Sequence, residues 1–185
     1  MHSFRYMNLQ PTLEDGLIIL RPLYKEDYDA LYTVAKDPLI WEQHPCPNRY
    51  KKEDFSAFFE ESIQSKGALV VIDKSNNTII GSSRYKSIDG ADNAIEIGWS
   101  FLSRAHWGGK YNKAMKVLMI DHAFQFIEDV VLYIDDTNLR SQKAAEKIGA
   151  QRIIDSKKHL LHSTASIWTY CINKNSWKTI KEKFL

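Results

Sequence analysis

The chain reads as an α/β (α+β) fold, and three observations predict it. From Ile95 to Ile154 the pattern runs strand, helix, strand, helix, strand, the order that sets strands in one sheet joined by right-handed crossovers. The 185 residues suffice for one full hydrophobic core and would leave two domains small, so residues 1–185 are expected to form one domain. Hydrophobic residues at 44% and charged residues at 26% have the balance of a soluble globular chain, which excludes the disordered, collagenous and membrane classes.

Leu17 to Leu23 is the first predicted strand, and Lys25-Glu26-Asp27 opens a helical pattern through Leu31, Tyr32 and Val34 with acids in its first turn. Prolines at 38, 45 and 47 keep Pro38 to Tyr50 irregular, and Trp41, His44 and Tyr50 make that loop a candidate binding wall. Phe55, Phe58, Phe59 and Ile63 fall on one helical face within 52–65, a stripe that suits a core. Ala68 to Asp73 and Thr78 to Lys86 flank Lys74-Ser75-Asn76-Asn77 as a hairpin, and Asp89-Gly90 marks the next turn. Ile95, Ile97 and Trp99 alternate with Glu96 and Gly98, giving a strand with one apolar face.

The period then changes. Ala114, Val117, Leu118, Ile120, Ala123, Phe124 and Ile127 cover a wide helical face that must be buried. Val130 to Asp135 is a short apolar strand. Asn138 is a natural N-cap for a second helix with Ala144, Ala145 and Ile148 inside, which Gly149 ends. Ala150 to Asp155 and Ser166 to Ile172 read as the remaining strands.

Lys plus Arg number 25 against 23 Asp plus Glu, so the net charge of +2 does not describe a dedicated nucleic-acid binder. Cys46 and Cys171 are far apart with no CxxC, and His44 with Cys46 is too small a set for a metal, so neither a disulfide framework nor a metal site is expected. The first residues lack the apolar core of a signal peptide, and no apolar run reaches the ~20 residues of a membrane span. The expected compartment is the cytoplasm, without membrane or nucleic acid as partner.

Gly108-Gly109-Lys110 between a strand and a helix is the most informative local feature. A helix start offers unpaired N–H groups and a positive dipole end, and glycines let a phosphate approach the backbone. Lys110 and Lys113 add charge there, whereas Lys116, two turns along, is expected to face solvent. A structural turn with a solvated lysine explains the same three residues. The segment is not Walker A, because Tyr111 stands where the hydroxyl would be, and it is not Gly-x-Gly-x-x-Gly.

Four motifs taken together carry a family resemblance. Glu96-Ile97-Gly98-Trp99, Trp107-Gly108-Gly109-Lys110-Tyr111, Asn138-Leu139-Arg140-Ser141 and Glu146-Lys147-Ile148-Gly149-Ala150 resemble the GNAT superfamily of acyl-CoA-dependent N-acetyltransferases. They are most similar to its ribosomal-protein N-terminal acetyltransferase-like branch, and the likeness spans about residues 15–172. The family loop Gln/Arg-x-x-Gly-x-Gly/Ala has Trp107, Lys110 and Asn112 at its marked places here, so the phosphate contacts of this chain would be rearranged or supplemented by the Lys110 ammonium.

The resemblance implies a mixed, mostly antiparallel sheet with a splayed pair of parallel strands and helices on both faces. It further implies acetyl-CoA as cosubstrate, no metal, and a pantetheine arm between the Glu96 strand and Val130–Asp135, eased by a bulge near Gly98. The expected phosphate seat is Gly108, Gly109, Lys110, Tyr111, Asn112 and Lys113, with Arg140 and Lys143 in reach of the nucleotide. A backbone N–H at Trp99 or Ser100 is the candidate oxyanion donor. Glu96 is the candidate base, directly or through water, or a surface carboxylate; Asn138 is a pantetheine partner or a plain cap; and Ser141, beside the sulfur, is the catalytic candidate that helps protonate the thiolate, or a small packed residue. Tyr111 reads as packing, His106 as a loop histidine and His122 as a satisfied core histidine.

The acceptor implied is a primary amine, on a peptide N-terminus or a small molecule, attacked directly in a ternary complex. A non-catalytic acyl-CoA-binding or sensing module on the same fold is the alternative. Substrate walls would come from Trp41 to Tyr50, Tyr85 to Asn93 and Lys157 to Thr164. The oligomeric state is open, a homodimer included.

Overall fold

Every residue of strand β3 (Ala68–Asp73) is buried, and the alternation of its side chains divides the hydrophobic interior in two. Leu69 and Val71 enter one core cluster, while Ala68, Val70 and Ile72 enter the other. A continuous apolar run is what a strand covered on both faces requires. The computed structural model describes residues 7–153, 158–159 and 166–183.

Around β3 the described residues form a sheet of nine strands in the order β1 (Leu13–Glu14), β2 (Ile18–Pro22), β3, β4 (Thr78–Ser87), β5 (Ala94–Leu102), β6 (Asp129–Asp135), β9 (Ser166–Asn173) and β7 (Gln151–Arg152), with β8 (Lys158–His159) also paired to β9. All pairings are antiparallel except β5 with β6, which run parallel. This is the mixed, mostly antiparallel sheet expected. The parallel pair is joined only from Ala94–Glu96 to Asp129–Val131, whereas β6 stays paired to β9 through Asp135. From Ile97 onward β5 and β6 diverge.

Helices cover both faces. α1 (Tyr28–Ala35) and α2 (Lys52–Gln64) pack over Ala68, Val70 and Ile72, with Phe55, Phe58 and Phe59 of α2 buried as the sequence spacing predicts. Glu53 and Asp54 in the first turn of α2 meet the positive end of its dipole. On the other face lie α3 (Lys110–Ala123) and α5 (Lys174–Glu182), and α4 (Leu139–Lys147) adds Ala145 to that cluster. No helix among the described residues is long and apolar enough to cross a membrane.

Several sequence expectations are corrected here. α3 ends at Ala123, and Phe124 and Ile127 are buried beyond its end. Its innermost stripe is Met115, Lys116, Met119, Ile120 and Ala123, while Ala114, Val117 and Leu118 are only partly buried. Tyr85, expected to begin a substrate wall, is fully buried and donates its hydroxyl to the Met119 carbonyl at 2.7 Å. Of the strand expected over Ala150–Asp155, Gln151 and Arg152 pair with β9, and Ile154 and Asp155 lie outside the described residues. The wall expected at Lys157–Thr164 lies outside them too, apart from the backbone of β8. No sequence expectation covered α5, which Trp177 anchors through an Nε1 hydrogen bond to Asp121 at 2.7 Å.

Candidate active site

The site begins with an irregularity in β5. Ser82 pairs with Phe101 and Arg84 with Gly98, so Ser83 alone stands opposite both Trp99 and Ser100. That is a bulge, and Trp99 absorbs it with φ of 52°, in the left-handed region that costs a bulky side chain energy. Gly81 accommodates the result, because a Cβ there would overlap the Phe101 carbonyl oxygen. The bulge also reverses the face: Ile95 and Ile97 point into the cluster beneath α3, while Trp99 packs on the α1/α2 side under the Arg84 guanidinium, 4.4 Å from its ring centroid. The expected single apolar face of this strand therefore ends at Ile97.

Beyond the last β5–β6 pair, a cavity of about 170 Å³ fills the space between the strands. Ile97 to Ser100 form one wall and Leu132 to Asp135 the other, with Asn112 and Lys116 entering from α3 and His44 and Pro45 from the loop before α2. Backbone groups of β5 and β6 that face each other across this gap have no ladder partner in the sheet. A larger cavity of about 770 Å³ adjoins it and shares His44, Ser100, Asn112, Asn138 and Ser141. Its walls add Trp107, Gly108, Gly109, Lys113, Arg140 and Lys143.

α3 starts at that larger cavity with no side-chain cap. Gly108 and Gly109 have φ of 98° and 124°, and nothing lies within 4 Å of where a Cβ would sit on either. The first-turn N–H groups of a helix have no intrahelical acceptor, so this open entry can take an anion. Lys113, Arg140, Lys143 and Lys147 border the same cavity. Open glycine backbone, a helix start and four cations make a donor set that fits a polyanionic nucleotide, and the narrow gap between strands fits an extended amide-bearing arm.

The expected site residues separate into those the fold brings together and those it does not. Trp99, Ser100, Asn112, Asn138 and Ser141 line the gap; Gly108, Gly109, Lys113, Arg140 and Lys143 line the larger cavity. Asn138 caps α4 by accepting from the Ser141 N–H at 3.1 Å. Arg140 is already engaged, donating to the Ile40 carbonyl at 2.9 Å and lying 4.3 Å from the Trp107 ring centroid. Lys110 and Tyr111 line neither cavity; Lys110 lies over the Tyr111 ring, whose hydroxyl donates to Asp73 at 2.8 Å. Glu96 lies one residue outside the gap, with Oε1 3.2 Å from the place of a Cβ on Gly98.

Histidines behave differently from one another. His122 is a core histidine with Nε2 2.8 Å from the Asn8 carbonyl oxygen, as expected. His106 lies 3.3 Å from Asp73, whose carboxyl is held down to about 2 by hydrogen bonds from the Ser75 backbone and side chain, Tyr111 and His106. His44 borders both cavities, and burial, with Arg49 nearby, pushes it down to about 3, so it is neutral at physiological pH.

Lys116 overturns its sequence expectation. It is 5% exposed instead of solvated, and its Nζ donates to Ser100 Oγ at 2.6 Å. Burial alone pushes the amine down to about 7. Ser100 Oγ in turn lies 2.7 Å from Oγ of the fully buried Ser83. A signal existed in the sequence: Asn112, Lys116, Ile120 and Ala123 share one helical stripe.

Comparison with known proteins follows the same lines. A family model described as the Acetyltransferase (GNAT) domain matches residues 18–151. A GCN5-related N-acetyltransferase from Brucella melitensis superposes with a TM-score of 0.81 at 18% identity, covering 95% of this chain and 84% of that one. An acetyltransferase (GNAT family) from Bacillus anthracis gives 0.73 at 18% identity, covering 89% and 99%. Mycobacterium smegmatis RimJ, solved in complex with CoA-disulfide, gives 0.65 at 15% identity, covering 95% and 91%. At these identities the structures show a shared fold.

Proposed function

The chain belongs to the GNAT acetyltransferase family, and from that premise we propose that it moves an acetyl group from acetyl-CoA to a primary amine by direct attack in a ternary complex. The acceptor is a peptide N-terminus or a small-molecule amine. The sequence likeness to the ribosomal-protein branch favours the peptide. Residues 1–185 act in this reading as one domain.

One observation carries the proposal: the gap where β5 and β6 part opens directly onto the uncapped, glycine-led start of α3. When bound, acetyl-CoA supplies an activated acyl group as a thioester. Backbone N–H groups of Lys110, Tyr111 and Asn112, with the Gly108–Gly109 entry, hold its phosphates, and Lys113 and Lys143 supply positive charge. Arg140 keeps the Trp107 wall in place. Asn138 pairs with the pantetheine amide, and Ser141 lies beside the sulfur. The N–H of Trp99 or Ser100, turned by the bulge, donates to the developing oxyanion. Glu96, through water, takes a proton from the acceptor nitrogen so that the neutral amine attacks the thioester carbonyl.

The test is calorimetry with acetyl-CoA, followed by a thiol-release screen over peptides with free N-termini, polyamines, amino acids and other amines. Binding with thiol release from one amine class is the expected result. Binding without release from any amine would identify the non-catalytic acyl-CoA binder, and absence of binding would remove the cosubstrate assignment.

A further inference from the structure

Among the described residues, none forms an ion pair with Lys116. It reaches from the α3 stripe into the gap between β5 and β6, and its only hydrogen bond among the described residues goes to Ser100. Ser100 lines both cavities and sits on the bulge, where its own N–H or that of Trp99 is assigned to the oxyanion. Ser83 fixes the Ser100 hydroxyl from behind. Ser100 Oγ is held between Lys116 Nζ at 2.6 Å and Ser83 Oγ at 2.7 Å, on the wall of the gap.

We propose that Lys116, acting through the Ser100 hydroxyl, supplies the proton taken by the departing CoA sulfur. The inference rests on the reading that the thioester lies in this gap. As the C–S bond breaks, its electron pair stays on sulfur, which takes the Ser100 Oγ proton. Ser100 is refilled from the Lys116 ammonium, which becomes a neutral amine. Glu96 releases to water the proton that the attacking nitrogen gave up, and the Lys116 amine takes one back from water, so amine and thioester become amide and thiol with no net proton change.

An ordinary lysine is a poor donor here, because it titrates near 10.4, above a thiol at ~8.5. Burial brings Lys116 to about 7, which makes its ammonium a stronger acid than such a thiol and its recharging feasible near neutrality. The other titratable side chains facing this gap are His44 from the loop, held neutral, and Tyr133 and Asp135 from β6; Glu96 stands just outside on β5, and α4 presents none. Asp135 Oδ1 is engaged by the Thr137 N–H and hydroxyl. The donor is the charged form, so its contribution is present below about pH 7 and fades as pH rises through that value.

The experiment uses the full chain with ¹³Cε-labelled lysine, the Lys116 resonance being identified by its loss in Lys116→Met. A titration midpoint near 7 is expected, and an ordinary midpoint near 10.5 overturns the proposal whatever the activity. With the amine found by the thiol-release screen, Lys116→Met and Ser100→Ala should keep acetyl-CoA affinity within about twofold and lose at least tenfold in kcat. They should also lose the fall in kcat above pH 7. Lys116→Arg keeps a charge but cannot release its proton, so it should not restore the rate. Full activity in Lys116→Arg, a wild-type pH profile in Lys116→Met, or an acetyl group on Lys116 in the peptide mass spectrum overturns the proton role. Failure of the wild type to bind acetyl-CoA instead overturns the reading of the gap.

Discussion

Glu96 shows how much a single side chain depends on its neighbour. Its carboxylate lies against Gly98, and any side chain at that position would contest the space. If Glu96 takes the amine proton, Glu96→Gln should lower kcat/KM at pH 7 by about 10²-fold, within the range of general-base contributions. Part of the loss should return at high pH, where a lysine-like amine with a pKa near 10.4 is increasingly neutral in solution and less dependent on a base. A flat ratio of mutant to wild-type rates across the pH range would make the carboxylate a bystander. Single residues were also where sequence reasoning failed. Alternation sets Trp99 beside Ile97, and the bulge near Gly98 follows from the family resemblance and not from any local pattern, because the extra residue is defined by the partner strand β4. Lys116 read as solvated because a lysine in an otherwise mixed stripe is usually so; its burial depends on β5 and β6 diverging above it.

At the scale of elements, legibility followed the strength of the periodic signal. α2 was readable from its phenylalanine stripe and β3 from its unbroken apolar run, since each pattern has one packing solution. α3 was found, yet its buried face was placed too far toward Val117 and Leu118, because a helix apolar over much of its circumference leaves its rotation undetermined until the sheet fixes it. Its start was legible from Gly108-Gly109 alone. Gly109→Ala tests what that start does. An alanine at φ of 124° is strained although the space is open, at a cost of ~1–3 kcal/mol, and the first turn should shift. The expected outcome is at least a tenfold loss of acetyl-CoA affinity by calorimetry with a folded protein by circular dichroism. Unchanged affinity would show that the phosphates do not use this turn.

The whole molecule is a sheet that is closed at one end of its parallel seam and open at the other. β1 to β5 on one side and β6 to β9 on the other meet in the sheet through three residue pairs, and helix packing holds the rest. A ligand whose arm lies in the open part would complete the seam, so binding and stability must be linked. With acetyl-CoA at 100 times its dissociation constant, the folded state gains ~2.7 kcal/mol. For a chain of this size that corresponds to about 5 to 10 °C in Tm. The location of the gain separates two modes of binding. An arm between the strands should slow hydrogen exchange at Gly98–Leu102 and Leu132–Asp135, because those amides acquire partners or lose water. Anchoring by the phosphates alone would protect Lys110 to Asn112 and leave the strands unchanged. A thermal shift accompanied by protection only at the start of α3 would therefore place the acyl arm outside the gap, and with it the oxyanion donors and the Ser100 hydroxyl away from the reacting carbon.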